Sequence, residues 1–164
     1  MSFRITGLSP EPFKALFGLS EPDLAANGIK RFVAEAGDAY PDRIEMRDAE
    51  PGETLLLLNH EYQPAETPYR ARHAIFVREG AAETYDRVDE VPQAMRTRLL
   101  SLRAFDAENM IVDADVTEGT EIESVIERFF ANQDVAYIQA HNAKRGCYAG
   151  RIDRAQKGRP ADVT

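Results

Sequence analysis

The chain holds a single cysteine, Cys147, and three histidines, His60, His73 and His141. A thiol becomes a nucleophile when it ionises, and a neighbouring imidazole can take its proton. Cys147 and His141 both fall in the stretch VAYIQAHNAKRGCYAGRID, residues 135–153. One reading therefore makes Cys147 the nucleophile of a thiol-dependent enzyme and His141 its base. Asp153, with Arg151 and Gln139 as substitutes, would orient the imidazole. The same residues also describe an ordinary solvated strand face, and a free cysteine commonly behaves as a small buried hydrophobe.

A second set of residues points to binding. Tyr69-Arg70-Ala71-Arg72 precedes His73 and is the densest basic run ahead of the C-terminal residues of an acidic chain. Guanidinium groups hold carboxylate and phosphate through paired N–H donors. Tyr69, Arg70, Arg72, His73 and Arg151 are the expected ligand-binding residues for a small anionic molecule. Against this, 28 acidic residues offer those arginines ordinary surface partners.

The usual cofactor chemistries lack their motifs. His60-Glu61 opens like a zinc protease motif, but Pro64 stands where the second histidine belongs. No histidine or cysteine pair has zinc-finger spacing, so neither metal nor cofactor is expected. There is no glycine-rich phosphate loop and no GxSxG elbow. The thiol phosphatase spacing fails too, since Asp153 stands where an arginine would have to be.

The elements that must position these residues follow from pattern. Lys144-Arg145-Gly146 predicts a three-residue hairpin loop with Gly146 at positive φ. That register pairs Ala143 with Cys147 and Gln139 with Arg151. It puts Ile138, Ala140, Tyr148 and Ile152 on a core face, and Gln139, His141, Cys147, Arg151 and Asp153 on a polar face. Thr120 to Asn132 predicts a helix, with a Thr120/Glu123 capping box and Ile122, Val125, Ile126, Phe129 and Phe130 on one side. TLLLLNHEY, from Thr54, predicts a buried central strand. Further strands are expected at Phe3–Gly7, Ile29–Ala34, Arg43–Arg47, His73–Glu79 and Met110–Val116. Short helices follow Ser9 and Ser20, and a longer one is expected over Asp89–Leu102, giving way to a strand near Leu100. Leu100 to Val116 forms a second hairpin. The fold class is α+β: a mostly antiparallel sheet built from hairpins, covered by the helix at 120–132 and shorter helices.

Composition bounds the rest. At 164 residues the chain fits one domain over 1–155, with a flexible tail over 156–164. The net charge of −8 disfavours nucleic acid and anionic membrane surfaces as partners. A homodimer is allowed but not demanded. One cysteine requires no oxidising compartment, and the N-terminal residues lack the pattern of a signal peptide, so a cytoplasmic location is expected.

Three segments, FRITGLSPEPF, DAEPGETLLLLNHEYQPAETPYRARHAIFVRE and HNAKRGCYAGRIDRA, resemble an uncharacterised bacterial domain-of-unknown-function family, family 1203. The likeness runs over nearly the whole chain, and the RGCYAGRID block is its most specific part. It implies one α+β domain and a bacterial source, and it brings no activity. Many relatives carry a cysteine just after the proline matching Pro41; here that residue is Asp42, which departs from any two-thiol chemistry.

Overall fold

Alternating burial, more than any helical period, organises this chain into two antiparallel sheets. The computed structural model describes residues 1–155; the tail expected over 156–164 lies outside the described residues. Six strands form the larger sheet: β1 (Phe3–Thr6), β5 (Asp86–Val88), β6 (Leu99–Phe105), β7 (Ile111–Glu118), β8 (Tyr137–Asn142) and β9 (Tyr148–Arg154). Their spatial order is β5-β1-β9-β8-β6-β7. The smaller sheet has β3 (Thr54–Gln63) between β2 (Lys30–Val33) and β4 (Ala71–Arg78). The α+β class with mostly antiparallel pairing is as expected, and the aliphatic run TLLLL is the central strand of its sheet.

Helix α3 (Ile122–Ala131) covers one face of the larger sheet. All five residues of its apolar stripe are buried and join Ile5, Leu100, Leu102, Ile138 and Ile152 in one core. Phe129 and Phe130 are each 1% exposed, and burying such a ring contributes about 2–3 kcal/mol. The expected capping box does not form. No side chain caps the helix, because a 3-10 turn over Gly119–Glu121 takes up Thr120 and moves the N-cap to Glu121, while the Glu123 carboxylate pairs with the Arg96 guanidinium instead.

The smaller sheet lies over the other face of the larger one. Leu56, Leu58, Ile75 and Val77 form a second core with Ile44, Phe13, Leu24 and Tyr148. Helix α1 (Glu21–Ala26) borders this core, with Ser20 accepting from Asp23 N at 3.3 Å as its N-cap.

Two expected elements change. The helix over Asp89–Leu102 shrinks to α2 (Gln93–Arg96), and the chain is already a strand at Leu99. Leu100, Leu102 and Ala104 are all 0% exposed, so a two-residue period there overrides the helical spacing of Val91, Met95 and Leu99. Arg43–Arg47 is not a strand. It is a bent loop with Met46 in left-handed backbone at φ 57, and Pro41 and Asp48, on either side of it, pair with each other in an isolated antiparallel bridge.

Candidate functional site

The β8–β9 hairpin closes through four residues, 143–146, rather than three. Asn142 N donates to Cys147 O at 2.9 Å, and Gly146 N to Asn142 O at 2.7 Å. His141 therefore faces Tyr148, one position off the expected register, while Gln139 still faces Arg151. A bulge at Ala149 absorbs the extra residue between the two registers. The consequence for side chains is large. Tyr148 moves to the His141 face, away from Ile138 and Ile152, and stacks on Tyr62 of the smaller sheet with ring centroids 5.9 Å apart. Cys147, paired with Asn142, moves to the face opposite His141. The shared Cys147–His141 face expected from the three-residue loop is thus corrected. The polar face itself is no solvated surface, since Gln139 is 4% exposed and His141 0%.

What Cys147 meets instead is Arg43, 3% exposed in the interior. Its Nε donates to Tyr148 O at 2.7 Å, Nη1 to Pro41 O, and Nη2 to Cys147 Sγ at 3.1 Å. Asn142 Nδ2 donates to the same sulfur at 3.5 Å. Among the described residues Sγ receives two hydrogen bonds and donates none, and Arg43 has no carboxylate partner. A neutral thiol is a weak acceptor, whereas a thiolate suits a ring of donors. Burial pushes the Arg43 guanidinium below its ordinary pKa, and Coulombic attraction to Cys147 is the largest influence opposing that.

Asp42 holds the loop that aims Arg43. It is 1% exposed, and its carboxylate accepts from Glu45 N at 2.7 Å and from Arg78 N at 2.8 Å. Burial holds its pKa above the ordinary carboxylate value, and these backbone N–H bonds offset only part of that rise. Leu8 N donates to Arg43 O at 2.8 Å, and Tyr85 N to Ile44 O at 2.8 Å. Gly7 is required there, because a Cβ would lie 2.3 Å from Ile44 O. A cavity of about 10 Å³ opens beside this loop, lined by Asp42, Arg43, Met46, Asn142 and Ala149 among others. That is room for one small molecule of water size. Asn142 Oδ1 is sealed from solvent and has no hydrogen-bond partner among the described residues.

His141 serves a different contact. Its Nδ1 lies 3.1 Å from Gly146 O and its Nε2 3.1 Å from Gln139 Oε1. A carbonyl only accepts, so Nδ1 carries the proton. Burial, reinforced by the Arg103 charge, pushes the ring pKa down to about 4. A neutral ring leaves Nε2 an acceptor, which is matched when the Gln139 amide turns its NH₂ toward it. That turn competes with the bond from Gln139 Nε2 to Tyr62 O at 3.3 Å. The Tyr62 ring packs edge-on to His141 at 4.8 Å, so the imidazole sits in the joint between the sheets.

The expected anion clamp is dispersed. Arg70 donates to Glu61 at 3.2 Å, and Arg72 to Asn59 Oδ1 at 2.5 Å with Glu61 at 3.8 Å. Tyr69 packs edge-on to Phe105. His73 stands opposite His60 on the face of the smaller sheet that carries Ile75 and Leu58. Arg151 pairs with Asp153 at 3.0 Å and lies over the Tyr137 ring, which leaves Asp153 no role beside Cys147. Arg43 was missed by sequence reasoning. It sits 104 residues from Cys147, and no local pattern separates it from the chain's other arginines.

Among the described residues no group of three or more His, Cys, Asp or Glu side chains is placed to hold a metal ion. No helix among them is long and apolar enough to cross a membrane. Residues 39–154 match the model of a family described as a protein of unknown function (DUF1203). No curated protein and no solved structure matches the chain.

Proposed function

From the premise that this chain belongs to the DUF1203 family, whose matched span holds Arg43, Asn142 and Cys147 alike, we propose that it is a thiol-dependent protein with Cys147 as the reacting group. The observation that carries this reading is an interior guanidinium that has no salt-bridge partner among the described residues, set 3.1 Å from the chain's single thiol. A charge withdrawn from water needs a counter-charge, and Cys147 supplies one on ionising. Arg43 and Asn142 hold the anion, in place of the His141 base and the Asp153 orienting group expected from sequence. A lone cysteine with no disulfide partner suits a reducing compartment such as the cytoplasm.

The test is the ultraviolet absorbance of the thiolate at about pH 6, where an ordinary cysteine, with a pKa of about 8.5, is almost wholly protonated. The native chain is expected to show a thiolate band that Cys147→Ser removes and Arg43→Lys diminishes. Identical spectra for native protein and Cys147→Ser would overturn the reading. The other reading, a small anion on Tyr69, Arg70, Arg72, His73 and Arg151, has weaker support, because Arg70 and Arg72 already share Glu61 and Arg151 is paired with Asp153.

A further inference from the structure

Strand β7 closes the larger sheet, with β6 on one side and, among the described residues, no strand on the other. An antiparallel strand turns its backbone groups alternately to its two sides. Ala143 N donates to Leu99 O at 3.0 Å, so Leu99, Ser101 and Arg103 turn their backbone groups toward β8. Leu100, Leu102 and Ala104 turn theirs toward β7, where Thr117, Asp115 and Asp113 stand opposite them. Val112, Ala114 and Val116 therefore direct their N–H and C=O groups outward, where a further strand would add. Val112 and Val116 are 42% and 56% exposed. A long edge with exposed β-branched residues is a template for pairing with another chain.

The outward N–H groups are already occupied. Asp113 Oδ1 accepts from Ala114 N, and Asp115 Oδ1 from Val116 N, each at 2.8 Å. Arg128 of α3 holds the other carboxylate oxygen of Asp115. We infer that Asp113 and Asp115 are a guard on β7 that excludes a second copy of this chain from the edge. A second copy is the visitor to exclude, because β7 is complementary to itself in everything but charge. Two-fold pairing about Ala114 brings Val112 of each copy against the partner's Val116 and uses the outward backbone groups of both strands. The same register sets Asp113 of each copy against the partner's Asp115, and like charges directly opposed across a ladder are destabilising. It also needs the N–H groups of Ala114 and Val116, which the carboxylates hold. Repulsion and capping thus close the edge together. Removing both carboxylates leaves an edge that is apolar, uncapped and self-complementary.

The experiment compares the native chain with Asp113→Ala/Asp115→Ala by sedimentation velocity at equal protein concentration, each with and without Ala114→Pro. Proline removes the outward N–H of residue 114 and leaves in place the β6 ladder, to which residues 113 and 115 contribute. The native chain should sediment with the mass of one chain, whether or not it carries Ala114→Pro. The double alanine variant should shift to the mass of two chains, and Ala114→Pro should return it to one. Circular dichroism reports whether each variant is folded. Should the double variant fail to fold, Asp113→Ala alone keeps the Asp115–Arg128 pair and should still show a proline-sensitive gain in mass. A folded carboxylate-free variant that stays a single chain would overturn the inference. So would association that survives Ala114→Pro, since the contact would then lie elsewhere. A native chain whose mass falls on Ala114→Pro would overturn it as well, because the edge would then be open with both carboxylates in place.

Discussion

Acid should weaken this fold through His141 by about 3 kcal/mol. The side chain has no exposed surface, and burial is the largest cause of its pKa falling from 6.5 to about 4. The unfolded chain takes up this proton near 6.5, and the folded chain only near 4. Between those values the unfolded state binds more protons, so stability falls as the pH drops through that window and levels off below it. A gap of ~2.5 pH units at ~1.4 kcal/mol per unit gives the estimate. That is a large share of the ~5–15 kcal/mol that holds a domain together. Other groups titrate in the same range, so His141→Asn is the control. It keeps a donor for Gly146 O but cannot take up the proton. At about pH 7 the variant should be the less stable by roughly 1–3 kcal/mol, from its lost contacts. At about pH 4 the difference should shrink or reverse, moving the relative urea midpoints by roughly 1–2 M. Parallel curves would refute the reasoning. So would a difference that grows on acidification, because that would mean a charged ring holding Gly146 O and Gln139 Oε1 together.

Other substitutions test the packing and the aim of Arg43. Gly119→Ala should cost roughly 3 kcal/mol or more in urea unfolding, since its Cβ would lie 1.8 Å from Met95 O, a backbone atom. Gly150→Ala should cost less, because its Cβ meets the flexible ends of Met46 and Met95. Phe129→Ala should lose about 3–5 kcal/mol by leaving a cavity under α3, and thermal unfolding would read this. Gly7→Ala touches no atom of Cys147, yet it presses on Ile44 O and Arg43 O. It should dim the thiolate band while circular dichroism still reports a folded chain; an unchanged band would mean that the loop does not aim the guanidinium.

The stripe of α3 and the strand TLLLL were legible because each is a local period matched to one buried face. The hairpin was legible only in part. Gly146 does take positive φ, at 76°, and Gln139 does face Arg151. The loop length was out of reach, because a four-residue loop followed by a bulge returns to the same register as a three-residue loop. The apolar residues Ile138, Ala140 and Ile152 are satisfied either way. Only Tyr148 and Cys147 change faces, and both tolerate either side. Arg43 was invisible for another reason. Its partners are two carbonyls and a sulfur, and backbone carbonyls leave no mark in a sequence. Nor does the sequence state that Glu61 faces Arg70 and Arg72; pairing two strands does.

The place of β9 between β1 and β8 has a consequence for how the protein is made. Phe3 pairs with Arg154, at opposite ends of the described chain. A ribosome adding ~5–20 residues per second needs on the order of ten seconds to travel between them. Throughout that interval β1 can pair with β5 alone, and β8 presents a bare edge where its last neighbour belongs. The nascent chain must carry two unfinished half-sheets until β9 emerges and joins them, and contacts this distant in sequence are slow to form. A chain cut short before β9 would lose the seam of its larger sheet together with one strand, and would expose two pairing edges to any other chain nearby.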